Sequence, residues 1–141
     1  MIMKILLPLF CAAGLSALAE DWPMWRHDVE RTAESPQVLT DELSLLWSRE
    51  LPRPVPAFND VRLQFDGGYE PIVKGKRLFL ASNREDKIMA FETNSGALLW
   101  EAFADGPIRL APVAWRDKVL FGSDDGCFYC VDAATGKEVW K

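Results

Sequence analysis

Apolar residues in the C-terminal two thirds of the chain fall into short runs separated by polar, turn-forming residues. Arg77-Leu78-Phe79-Leu80-Ala81-Ser82 and Lys118-Val119-Leu120-Phe121-Gly122-Ser123 are nearly unbroken apolar runs between charged residues. Runs of this length read as strands covered on both faces. A shorter apolar stretch precedes each one, Pro71-Ile72-Val73 and Pro112-Val113-Ala114. Further runs follow each one after a turn. The pattern predicts strands at 70–74, 77–82, 87–92 and 97–103, and again at 111–115, 118–123, 127–132 and 137–141.

The two sets are copies of one unit. Ala90-Phe-Glu-Thr-Asn-Ser-Gly-Ala-Leu-Leu-Trp100 answers Cys130-Val-Asp-Ala-Ala-Thr-Gly-Lys-Glu-Val-Trp140, at a spacing of 40 residues. Glu92 and Asp132 are placed to accept hydrogen bonds from turn amides, as are the hydroxyls of Ser95 and Thr135. Gly96 and Gly136 supply the positive φ that a tight strand-to-strand turn requires. Trp100 and Trp140 then lie on the returning strand, where a large ring can pack against a neighbouring unit. Upstream, Pro71 and Pro112 are 41 residues apart, so the first copy holds one extra residue, placed in the turn Asn83-Arg84-Glu85-Asp86. Four short strands repeated at about 40 residues predict an all-β fold, a β-propeller of four-stranded antiparallel blades.

The Asp-x-x-Thr-Gly-x-x-x-Trp pattern at 132–140 resembles the repeat of the pyrroloquinoline-quinone-type (PQQ-like) β-propellers. That family includes quinoprotein alcohol dehydrogenases and non-catalytic relatives resembling the outer-membrane assembly lipoprotein. The first copy departs mildly, with Glu92 for Asp and Ser95 for Thr. The resemblance covers 70–141, as blades at 70–110 and 111–141. It extends to Leu43-Ser44-Leu45-Leu46-Trp47, which aligns with the last strand of a blade and predicts a lone fourth strand over 43–51. Such a strand would close a ring on strands from the far end of the chain. Rings typically hold four to eight blades, so these residues are expected to be part of a longer propeller, or to assemble one from several copies.

Ahead of the repeats, residues 20–42 are rich in aromatics and turn formers without a period, and read as an irregular arm. Its Trp22-Pro23-Met24-Trp25-Arg26 stretch resembles the lead segment of the same family. His27 beside Asp28 has the residue types of an acid–base pair, but no second half of a catalytic set is visible, and the pair reads as a hydrogen-bonded surface pair near a packed tryptophan. Residues 52–69 form a connector and insertion: Pro52, Pro54 and Pro56 cannot join a ladder. Trp47 to Pro71 is 24 residues where Trp100 to Pro112 is 12. An insertion between blades lies on the propeller rim, which makes Asp66-Gly67-Gly68-Tyr69 a candidate binding loop; a packing flap is the other reading. Asp124-Asp125-Gly126 reads as a hairpin turn, because the remaining oxygen ligands of a calcium loop are absent.

Charge and cysteines narrow the classes. Residues 1–19 read as a signal peptide: one lysine, an apolar stretch too short to span a bilayer, and Ala17-Leu18-Ala19 as the cleavage site. Cys11 follows Phe10, which argues against lipidation there. The mature chain would start at Glu20 and carry 15 basic and 21 acidic residues, a net charge of −6. That balance, with no basic cluster, argues against a nucleic-acid partner, and no later run is long enough to span a membrane. Cys127 and Cys130 would lie roughly 10 Å apart on a strand, beyond the roughly 7 Å reach of a disulfide, and read as structural thiols.

The resulting expectation is an exported, periplasmic or extracellular module without catalytic, cofactor or metal residues, holding a protein, peptide or glycan at its rim. The alternative is the N-terminal part of a PQQ-dependent dehydrogenase oxidising alcohols or sugars, with quinone and calcium as cofactors. The resemblance implies for those enzymes an acid shortly before the proline that opens the first full blade. Their spacing would place it at 68, where this chain has glycine, with Glu70 two residues on.

Overall fold

A computed structural model describes residues 20–39 and 41–141; the signal-peptide reading at 1–19 lies outside the described residues. Among the described residues, eight strands form two sheets. The first contains β1 (Ile72–Lys74), β2 (Arg77–Ser82), β3 (Lys87–Glu92) and β4 (Leu98–Phe103), and the second contains β5 (Val113–Trp115), β6 (Lys118–Gly122), β7 (Phe128–Asp132) and β8 (Glu138–Trp140). Each sheet is an antiparallel meander in chain order. The register shifts at Ala90/Phe91 in one sheet and at the equivalent Cys130/Val131 in the other. The repeat is therefore kept down to its bulges, which re-aim the last strand of each sheet.

The sheets pack face to face. Alternation along β2 turns Phe79 and Ala81 toward the second sheet, and Leu78 and Leu80 away from it. Phe79, Ile72, Ile88 and Ala90 meet Val119, Phe121, Tyr129 and Val131 in one buried core, and Ile108 of the connector joins them. The Phe121 and Tyr129 rings stack at 5.1 Å. The opposite face of the first sheet holds a smaller cluster of Leu80, Met89 and Phe91, with Leu51, Tyr69 and Leu78 against it.

Residues 43–51 correct the sequence expectation, because they form no strand. A strand exists only through its ladder, and no described segment pairs with this one. Its tryptophan is nevertheless placed as the repeat requires. The Trp47 indole N–H donates to Thr93 O at 2.8 Å, and its ring lies on Gly96. Arg49 donates to Gly96 O and covers the Phe91 ring at 4.8 Å.

Cys127 and Cys130 are free thiols, the first half-buried and the second buried. Among the described residues, no helix is long and apolar enough to cross a membrane.

Candidate functional site

The repeat motif residues build the turns. Glu92 Oε2 accepts the amides of Asn94 and Ser95 and the Ser95 hydroxyl at 3.0, 2.7 and 2.8 Å. Asp132 Oδ1 accepts the amides of Ala134 and Thr135 and the Thr135 hydroxyl at 3.1, 3.0 and 2.8 Å. These hydrogen bonds, led by the Ser95 and Thr135 hydroxyls respectively, hold both carboxyls below their ordinary range. Gly96 and Gly136 close the turns at φ 67° and 71°. Trp100 lies on Gly136 and donates to Ala133 O at 3.2 Å, as Trp47 does one unit earlier. Trp140 is half-exposed, near Phe128 at 6.2 Å. The motif is thus structural, and the surface open to a ligand lies elsewhere.

The N-terminal arm is fastened to the free edges of the first strands. Trp22 and Val73 exchange N–H···O bonds of 2.8 Å in both directions. Ala114 of β5 donates to Pro23 O at 2.7 Å, and Gly75 donates to Asp21 at 2.5 Å. One extended stretch thereby spans both sheets and satisfies edge groups that would otherwise be open. Beyond it the backbone turns sharply, with Arg26, His27, Arg31 and Ala33 all at positive φ between 58° and 78°. Conformations of this kind are costly for residues with a Cβ. The turn leaves Trp25 43% exposed, with the Arg26 and Arg31 guanidinium groups 5.6 and 5.1 Å from its ring centroid.

His27 does face Asp28, at 3.7 Å, but also Glu20 at 3.4 Å and the Trp22 ring at 4.8 Å. Both carboxylates are engaged inside the arm. Thr32 donates to Asp28 from its hydroxyl and its amide, which in that order hold the Asp28 carboxyl below its ordinary value, and the Ser35 hydroxyl donates to Glu20. The group acts as a clasp for the arm.

The candidate rim loop divides between two roles. Asp66 is 1% exposed and pairs with Arg109 Nη1 at 2.5 Å. It also accepts the Ala57 amide at 3.0 Å, while its own carbonyl accepts from Asn83 at 3.1 Å. Arg109 further bonds Asp124 at 2.6 Å and Val55 O at 2.8 Å. Asp66 is therefore an anchor. Burial pushes its carboxyl up, but the hydrogen bonds from Arg109 and Ala57 outweigh this and hold it below the ordinary value. Gly67 and Gly68 are exposed, and the Tyr69 hydroxyl ties back to Pro52 O at 2.7 Å. Arg109 gave no signal in the sequence, where it stands alone in a connector with no period or motif.

The anchored insertion forms a short 3-10 helix, Val61–Leu63, and then presents Phe65 at 58% exposure. Phe65 faces the arm across a cleft of about 410 Å³, with Met24, Trp25 and Arg31 on one side and Leu110 and Val113 on another. Glu70 lies in its wall and accepts the Ala111 amide at 3.2 Å. The cleft offers aromatic and aliphatic surface, a cationic flank and one carboxylate, which suits recognition of an amphipathic chain. Gly68, where the resemblance places an acid for quinone contact, projects no side chain; of the acids flanking it, Asp66 is paired with Arg109 and Glu70 is engaged with Ala111. No group of three or more His, Cys, Asp or Glu among the described residues is arranged to hold a metal ion.

Comparison with known proteins bears on the fold and the lineage. A family model described as outer membrane protein assembly factor BamB matches residues 16–141. No curated protein matches the chain. Among solved structures, a quinohemoprotein alcohol dehydrogenase from Comamonas testosteroni is 25% identical with a TM-score of 0.67, over 88% of this chain and 19% of that one. BamB from Moraxella catarrhalis is 21% identical with a TM-score of 0.44, over 47% of this chain and 20% of that one. A europium-containing methanol dehydrogenase is 24% identical with a TM-score of 0.46, over 55% and 15%. The chain spans a fifth or less of the length of each of these structures.

Proposed function

The chain belongs to the PQQ-like β-propeller family of the outer membrane protein assembly factor BamB, and on that premise we propose that it is an exported, non-catalytic binding or scaffold module. Its ligand is a segment of a protein, peptide or glycan. The observation that carries this reading is the cleft between Trp25 and Phe65, built from two segments that the repeat does not need. Exposed aromatic side chains held on tightly bonded supports are the usual anchors of recognition surfaces. A strained arm turn beside them fits the same role.

The second reading, the N-terminal part of a PQQ-dependent dehydrogenase, draws on the 25% identity over 88% of this chain to a quinohemoprotein alcohol dehydrogenase. The glycine at 68 and the engagement of Glu70 with Ala111 weigh against it.

The test is to pan a displayed peptide library and a glycan array with the full-length protein, then repeat with Trp25→Ala and Phe65→Ser. Ligands lost in both variants support the module and its cleft. Ligands indifferent to both would remove the cleft from consideration.

A further inference from the structure

We propose that a second cleft, between the two sheets at the end opposite Trp25, is a site for a small oxyanion, a carboxylate or a phosphate, held by the guanidinium of Arg77. This inference does not depend on the binding role argued above. The cleft encloses about 330 Å³ and is bounded by the β1–β2 turn of one sheet and the turns at 116–117 and 132–134 of the other. Arg77 stands at the start of β2, on the face that carries Phe79 toward the second sheet.

Its electrostatic position is unusual. Arg77 Nε is buried and has no hydrogen-bond partner. Its side chain makes no hydrogen bond or ion pair with any described residue. A buried donor left without an acceptor is costly, and more so on a charged group.

The carboxylates nearby are already engaged. Glu92, directly opposite Arg77 in the ladder, is closed on its own turn through Asn94 and Ser95. Asp21 accepts from Gly75 and pairs with Lys74 at 3.5 Å. Asp117 pairs with Lys118 at 2.5 Å, and Asp132 holds the turn amides and the Thr135 hydroxyl on Oδ1, with Oδ2 3.9 Å from Lys118 Nζ. Beside these carboxylates the cleft is lined by Arg77 and by Arg116, whose guanidinium lies 4.2 Å from the Trp115 ring centroid.

Phe79, Ala133 and Ala134 supply an apolar wall beside these donors. A guanidinium fork matches two oxygens of one carboxylate or phosphate. The equivalent position in the second unit is Lys118, which is paired with Asp117 and lies near Asp132. The unfilled guanidinium therefore belongs to the first unit alone.

The experiment is isothermal titration of the full-length protein with inorganic phosphate and, separately, with acetate, each against sodium chloride of equal ionic strength. Saturable binding with a Kd of about 1 mM or tighter is expected for one or both anions, and which anion binds identifies the source. Arg77→Gln should weaken binding by roughly tenfold or more, the equivalent of one charge-assisted hydrogen bond. Arg116→Gln, at an exposed position, should weaken it by a smaller factor while leaving the melting temperature unchanged. Arg84→Gln, on an exposed turn away from the cleft, should have no effect. Heats that sodium chloride reproduces would overturn the site, as would unaltered affinity in Arg77→Gln. Should Arg77→Gln fail to fold, unaltered affinity in Arg116→Gln would overturn it equally.

Discussion

The indole of Trp100 lies flat against Gly136, so that a methyl group built on the glycine would come within 2.6 Å of ring atom Cδ2. The contact joins a strand of one unit to a turn of the next, and the N–H bond from Trp100 to Ala133 O fixes the ring across it. Trp47 and Gly96 make the same contact one unit earlier, at 2.5 Å. The repeat motif thus reads as a donor ring and an acceptor turn, each unit offering both.

Gly136→Ala should be strongly destabilising. It forces a Cβ into the Trp100 ring and places alanine at φ 71°. Overpacking and left-handed strain together amount to about 2–4 kcal/mol. Lys137→Ala, one residue on and exposed, should change the denaturation midpoint little. Equal midpoints for the two variants would contradict the contact.

Replacing the ring separates its two contributions. Trp100→Phe keeps aromatic cover on Gly136 but deletes the bond to Ala133, a loss of about 1 kcal/mol. Trp100→Ala removes the cover as well and should cost about 3 kcal/mol or more. Urea denaturation of both variants gives the comparison, and indistinguishable curves would reduce the role of Trp100 to the hydrogen bond.

Arg109 should prove essential to the insertion. Arg109→Met leaves the buried Asp66 carboxylate unpaired, which typically costs about 3–5 kcal/mol. The loss should be local, seen as faster hydrogen exchange at the Ala57 amide that Asp66 holds. Unchanged protection there would separate the insertion from the ion pair.

The same pair predicts a direction of pH dependence. The folded Asp66 carboxyl titrates below its ordinary value, so its contribution is complete above the unfolded pKa of about 3.9. It is lost as pH falls through the lower folded value. Acid should therefore loosen the insertion at 52–69, and Asp66→Asn, though less stable at neutral pH, should lose that dependence. Protection of the Ala57 amide followed from pH 6 to pH 2 provides the measurement.

Quinone should not be retained. Purified protein mixed with pyrroloquinoline quinone and calcium, then desalted, is expected to carry no stoichiometric quinone and to show no dye-linked alcohol oxidation. Retention together with oxidation would favour the dehydrogenase reading over the binding module.

Sequence alone carried the repeat and most of the strands. β2 and β3 occupy the predicted 77–82 and 87–92, and the motif turns close through Glu92 and Asp132. These features are local: alternation, an acid two to three residues from the amides it binds, and a glycine where the backbone must turn left-handed. Such constraints act on near neighbours and leave a period.

The tertiary structure decided what long-range pairing controls. Residues 43–51 carry the apolar pattern of a strand, yet a strand needs a partner; without one, the segment is held by side-chain contacts such as Trp47 on Gly96 and Arg49 on Phe91. Asp66 looks in sequence like part of a polar, glycine-rich loop, and becomes a buried anchor because Arg109, 43 residues away, reaches it. The cleft between Trp25 and Phe65 and the unfilled Arg77 arise in the same way, from segments that meet only when the sheets pack. No spacing along the chain records such meetings, because burial and charge pairing depend on distance in space.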